Sequence, residues 1–218
     1  MMIEHKSVSL AEQVFDRLET DILSGKYQQG EILTELKLVS DLGVSRTPIR
    51  EALRRLEQEH IVEITPRGIL VIGVSRKDLD DILAIRIRIE GLAAAEAAKN
   101  ITDEQLEELR ETVELQEFYV PKHDADRING MDSRFHHLIY RFSGSLPLYD
   151  TLMPLHKKLH KYRKASVENE VRSEHSSQEH RAIFEAIASH NAELAEERMR
   201  AHIANAKDFI QNKDKGNK

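Results

Sequence analysis

Four side chains in the second half of this 218-residue chain have the types and spacing of a metal site. Asp132 and His136 lie four positions apart, which on a helix sets a carboxylate and an imidazole on one face. His180 and His202 flank a helix break near His190 and Asn191, each about eleven residues from it, or about 16 Å along a helix. In an antiparallel helix pair, residues equidistant from the turn come level, so two inward-pointing imidazoles would face each other. With Asp132 and His136 they offer three nitrogens and one carboxylate oxygen. That donor set suits a divalent metal ion, with zinc first and nickel, manganese or iron as alternatives, and it leaves positions open for a ligand. Histidines on helices more often sit at the surface or in hydrogen-bonded cores, so a purely structural role stands beside the metal reading.

Other candidates are weaker. His156 and His160 share the four-residue spacing, but Lys157, Lys158 and Lys161 beside them disfavour a cation, and they read as solvated or pocket-rim groups. His123 and Asp124 follow Pro121 in a polar connection and lack an upstream partner histidine. The chain has no cysteine, hence no thiolate ligands and no disulfides, which fits a reducing cytoplasm. No glycine loop suited to phosphate and no serine nucleophile elbow occurs, so an enzyme is not expected. No apolar run approaches the roughly 20 residues that span a bilayer, so no membrane partner is expected either.

The elements that must carry these residues are helical. From Leu79 onward only helical periodicity is visible, with helices expected over about 76–99, 102–119, 124–144, 147–167, 173–189 and 191–212. Thr102 and Gln105 form a capping box, and Gly144 to Pro147 break the third of these helices from the fourth.

The first 74 residues read differently. Leu10, Val14, Leu18 and Ile22 mark a first helix behind a Ser9 cap. A short helix from Glu35 to Leu42 stops at Gly43, which tolerates the left-handed backbone of a helix end. Ser45 is placed to cap the next helix, with Pro48 in its first turn, where missing N–H groups cost nothing. That helix opens with Arg46, Thr47 and Arg50, as a DNA-recognition helix does at the end that enters a major groove. Two β-branched runs, Ile61–Thr65 and Ile69–Ile72, are joined by Pro66-Arg67-Gly68, a two-stranded wing with Arg67 at its tip. Net charge is −6, yet residues 44–56 carry Arg46, Arg50, Arg54 and Arg55 against Glu51 alone. A basic face on an acidic body predicts a narrow, salt-dependent DNA footprint.

Leu42-Gly43-Val44-Ser45-Arg46-Thr47-Pro48 followed by Arg50-Glu51-Ala52-Leu53 resembles the winged helix-turn-helix of GntR-type bacterial transcription regulators. His60 departs from the pattern, where the family usually turns into the wing through glycine. Residues 76–212 resemble the all-helical FCD effector domain of the FadR/VanR-like subclass. The matching motifs are Asp132-Ser133-Arg134-Phe135-His136, Glu179-His180 and His202-Ile203, so the resemblance implies Asp132, His136, His180 and His202 as metal ligands. It also implies that Arg86, from Arg86-Ile87-Arg88-Ile89-Glu90, faces the pocket and holds a carboxylate effector, a plain salt bridge to a neighbouring helix being the alternative. Ser145 and Asn191 depart from the family at loop and cap positions.

The expected protein is mainly α: a winged helix-turn-helix over 1–74, then an all-α six- or seven-helix bundle over 75–218 that binds effector and dimerises. Its expected function is that of a cytoplasmic, homodimeric transcription regulator, a repressor by the commoner family logic. It would place Ser45, Arg46, Thr47, Arg50 and Arg67 on a palindromic DNA operator and answer to a small carboxylate metabolite. Two alternatives remain: a bundle that is only a dimerisation scaffold without metal, and a metal-dependent hydrolase fused to a DNA-binding domain.

Overall fold

The computed structural model of the protein describes residues 8–216. The chain divides into two compact units, with the break between Arg76 and Lys77.

The first unit contains α1 (Leu10–Leu23), β1 (Ile32–Leu33), α2 (Glu35–Leu42), α3 (Arg46–Gln58), β2 (Val62–Thr65) and β3 (Gly68–Val71). Its core joins Val14, Leu18 and Ile22 of α1 to Ile49, Ala52, Leu53 and Leu56 of α3. Of the residues that repeat every four positions in α1, Val14, Leu18 and Ile22 are removed from water, while Leu10 in the first turn stays exposed. Gly43 ends α2 at φ 66°, and Thr34 caps its start by accepting from the Lys37 N–H.

Three local expectations change. Ser45 occupies the N-cap position, yet its hydroxyl makes no cap bond. A cap side chain bonds the second or third N–H of the helix, and the third residue here is Pro48, which has none. The wing is also three-stranded: β1 pairs antiparallel with β3, in the order β1-β3-β2. A two-residue strand is too short to show a period in sequence. His60 supplies at φ 59° the positive backbone angle for which glycine is usual.

The second unit is helical among the described residues: α4 (Arg76–Asn100), α5 (Asp103–Tyr119), a 3-10 turn (Val120–Lys122), α6 (Ala125–Phe142), α7 (Leu146–Lys158), α8 (His160–Val167), α9 (Glu170–Ala188) and α10 (Ala192–Gly216). Thr102 and Gln105 complete their reciprocal cap. The span expected as one helix over 147–167 is two, separated at buried Leu159, whose N–H bonds the His156 carbonyl. Neither glycine nor proline announces that break. It matters because α8 carries Arg163 back to Asp132 of α6. Ala94, Ala97 and Ala98 of α4, Phe135 and Ile139 of α6, Ile183 and Ile187 of α9 and Met199 of α10 build the central core.

Candidate metal centre and DNA interface

His136 on α6, His180 on α9 and His202 on α10 converge inside the bundle. His180 Nε2 stands 3.3 Å from His202 Nε2, and His202 Nε2 stands 3.3 Å from His136 Nε2. All three rings are buried. The α9–α10 hairpin brings His180 and His202 level, and Phe135 stacks on His180 with ring centres 4.1 Å apart.

Each imidazole is oriented through its other nitrogen. His136 Nδ1 lies 2.9 Å from Glu90 Oε2, His180 Nδ1 lies 2.7 Å from Gln116 Oε1, and His202 Nδ1 lies 2.6 Å from Glu179 Oε2. All three partners accept hydrogen bonds, so the proton belongs on each Nδ1. Three unprotonated Nε2 lone pairs then point at one another, an arrangement that a cation relieves. Tetrahedral zinc, with bonds of about 2.0–2.1 Å, sets its nitrogen ligands about 3.3–3.4 Å apart, so the observed spacing fits the ion. Burial and the neighbouring His202 push the His180 pKa well down, and burial lowers that of His202, so both present neutral rings.

Asp132 lies at the edge of this cluster. One carboxylate oxygen accepts from Arg163 Nη1 at 2.7 Å, and the other stands 3.9 Å from His180 Nε2. Burial alone would raise the Asp132 carboxyl, but the Arg163 guanidinium and the three imidazoles hold it well below the usual carboxylate range. Glu90 behaves alike: burial is outweighed by Arg86 and His136, and its pKa falls to about 2.

Arg86 lies on the wall of a cavity beside the histidines. Its Nε bonds Glu90 on the same helix rather than a carboxylate of a neighbouring helix. The sequence reading missed the outer partners Glu90, Gln116, Glu179, Arg163 and Arg172. Glu90 and Glu179 stand inside the motifs already noted, and that a ligating imidazole needs an acceptor at its second nitrogen was the available signal. His156, read as solvated or at a rim, is instead buried, with Nδ1 3.4 Å from the Tyr140 hydroxyl. The lysines that follow it lie on other faces of α7.

In the first unit Ser45, Arg46, Thr47 and Arg50 are exposed along the start of α3, while Pro48 and Ile49 between them are buried. Arg50 Nε bonds Glu35 Oε1 at 2.8 Å, which holds its guanidinium over α2. Arg55 stacks on Phe15 at 3.9 Å from the ring centre and so belongs to the fold. Arg50, Arg54 and Arg67 line one open groove between α3 and the wing, which adds Arg54 to the basic surface. The Thr65 hydroxyl donates to the Gly68 carbonyl and accepts from the Arg67 N–H, closing the turn that presents Arg67.

Residues 10–71 match the profile of the bacterial regulatory proteins of the gntR family, and residues 81–205 match the FCD domain. The chain is 32% identical over 193 residues to an uncharacterized HTH-type transcriptional regulator, YdhC of Bacillus subtilis strain 168, covering 88% of this chain and 86% of that protein. It is 33% identical over 141 residues to the gluconate operon transcriptional repressor of Bacillus licheniformis, covering 63% of this chain and 58% of that protein. Among solved structures, E. coli McbR/YncC superposes with a TM-score of 0.82 at 25% identity, covering 95% of this chain and 99% of that one.

Proposed function

The chain belongs to the gntR family of bacterial regulatory proteins and carries an FCD domain, and from that premise we propose that it is a homodimeric repressor released or reset by a metal-held carboxylate. As a transcription regulator it binds DNA through its winged unit. Arg46 reads a guanine edge, Ser45, Thr47 and Arg50 contact neighbouring bases or phosphates, and Arg67 holds the backbone or minor groove from the wing. One winged unit buries too little DNA for selective binding in a genome, so two copies share a palindromic operator.

In the helical unit Asp132, His136, His180 and His202 hold a divalent ion, zinc before nickel, manganese or iron. The observation that carries this reading is the convergence of three Nε2 atoms, each fixed by an acceptor on its Nδ1. A bound ion supplies open coordination positions for a carboxylate, and the cavity walled by Arg86, Arg163 and Arg172 receives the rest of the ligand. Binding changes operator affinity by as much as the ligand prefers one arrangement of the dimer over the other.

The test is metal content by mass spectrometry on untagged protein, with thermal melting across a panel of small carboxylates. Metal near one ion per chain, and a melt raised by carboxylates only when metal is present, supports the sensor. Metal far below one per chain and no carboxylate response reduces the bundle to a dimerisation scaffold.

A further inference from the structure

We propose that the cavity beside the histidines selects a short-chain dicarboxylate, with Arg163 and Arg172 holding the carboxylate that is not on the metal. The inference rests on the metal and carboxylate reading above and narrows its ligand to one class.

Both arginines line the wall with one terminal nitrogen engaged and the Nε left without a partner. Arg163 Nη1 donates to Asp132 Oδ2 at 2.7 Å and to Ser133 Oγ at 2.8 Å, while its Nε is buried without a hydrogen-bond partner. Arg172 Nη2 donates to Glu179 Oε2 at 2.9 Å, and its Nε is likewise buried without a partner. Buried donors in native proteins are nearly always satisfied, so two orphans on arginines lining one cavity mark where acceptor oxygens belong. Arg86 is less suited to that role, because its guanidinium is engaged by Glu90 and Tyr140.

Charge gives the second argument. Around the site Arg86, Arg163 and Arg172 are balanced by Glu90, Asp132 and Glu179. Imidazoles bind metal as neutral groups, so a divalent ion leaves two positive charges uncompensated in a shielded place. A monocarboxylate cancels one of them and a dicarboxylate cancels both.

Size gives the third. The cavity as it stands, about 30 Å³, is on the scale of two waters, so any acid must widen it and a small one least; Leu83, Val167 and Ile203 line it with apolar surface. A compact acid with one or two methylenes between its carboxylates suits this wall better than a polyhydroxylated one.

The experiment is calorimetric titration of the zinc-loaded full chain with malonate against propionate, succinate against butyrate, and 2-phosphoglycolate. We expect the better dicarboxylate to bind about tenfold or more tightly than the monocarboxylate of equal length, the scale of one charge-assisted hydrogen bond. In R163K and R172K, which keep the charge but lose the Nε donor, that ratio should shrink toward one when each variant is titrated at saturating zinc, with its occupancy measured beforehand because both arginines also support the metal centre. Equal binding of mono- and dicarboxylates by the wild-type chain overturns the inference and leaves the carboxylate sensor standing. Tightest binding of 2-phosphoglycolate overturns it in favour of a phosphorylated acid. Binding of none of these ligands at full zinc occupancy overturns both readings. The wild-type ratio decides the question even where a variant fails to fold.

Discussion

Glu90 and His136 meet across α4 and α6, with Glu90 Oε2 2.9 Å from His136 Nδ1 and both side chains shut off from solvent. Behind them Arg86 bonds the other oxygen of Glu90, so a guanidinium, a carboxylate and an imidazole form one chain that aims His136 Nε2 at the other two histidines. Outer partners of this kind fix ring orientation and raise ligand basicity. Glu90→Gln should therefore weaken zinc affinity by about 10–100-fold, read by chelator competition. Unchanged affinity in a folded variant would detach Glu90 from the metal centre.

Arg46 sits exposed in the first turn of α3, the end that a recognition helix offers to base edges. Arg46→Ala should cost about 1–3 kcal/mol of discrimination between operator and scrambled DNA, measured by titration at fixed salt. An unchanged ratio of the two affinities would remove Arg46 as a base reader.

Ser45 allows a cleaner separation of fold from recognition. Its hydroxyl makes no cap bond, so Ser45→Ala should change stability by no more than about 0.5 kcal/mol, below the usual cost of losing a cap. Operator affinity should fall in the same variant. A large drop in melting temperature would contradict the uncapped geometry.

Gly68 opens β3 at φ 133°, and a side chain there would bring its Cβ to 2.5 Å from the Leu33 carbonyl oxygen. Both the backbone angle and the contact with β1 exclude any other residue. Gly68→Ala should destabilise the winged unit by about 1–3 kcal/mol or more and weaken DNA binding, with zinc binding by the bundle intact. Chemical denaturation followed alongside metal content checks the two effects separately.

Tyr27 is buried and its hydroxyl lies 3.0 Å from Asp41 Oδ2, tying the loop after α1 to α2. Burial first, and then the Asp41 carboxylate, raise its pKa to about 12. The folded state thus favours the protonated phenol. Its contribution is fully present below about pH 10, the unfolded value, and is lost as pH rises through about 12. Wild-type stability should fall across that window more steeply than that of Tyr27→Phe, as denaturant midpoints at successive pH values would show. Parallel slopes would dismiss the Tyr27–Asp41 bond as a stabilising contact.

Local rules made much of this protein legible in its sequence. Gly43, Pro48 and the arginines of α3 gave the helix-turn-helix because stop signals, first-turn proline and exposed basic positions act within a few residues of one another. The equal spacing of His180 and His202 from their turn sufficed to bring them level, since a helical hairpin converts count into height. Other features depended on segments far apart in the chain. Strand β1 exists because β3 offers it an edge, and two residues carry no period of their own. No glycine or proline stands at the turn at Leu159, and α7 runs on past Pro154 before it, yet that turn is what returns Arg163 to Asp132. Glu90 with His136 and Gln116 with His180 are pairings across 46 and 64 positions, which no spacing rule anticipates. Sequence alone determined most of the helices, the hairpin of the wing and the histidines and aspartate that could do chemistry. The tertiary structure decided which nitrogen of each histidine faces its neighbours, because that choice belongs to the acceptor packing places behind the ring.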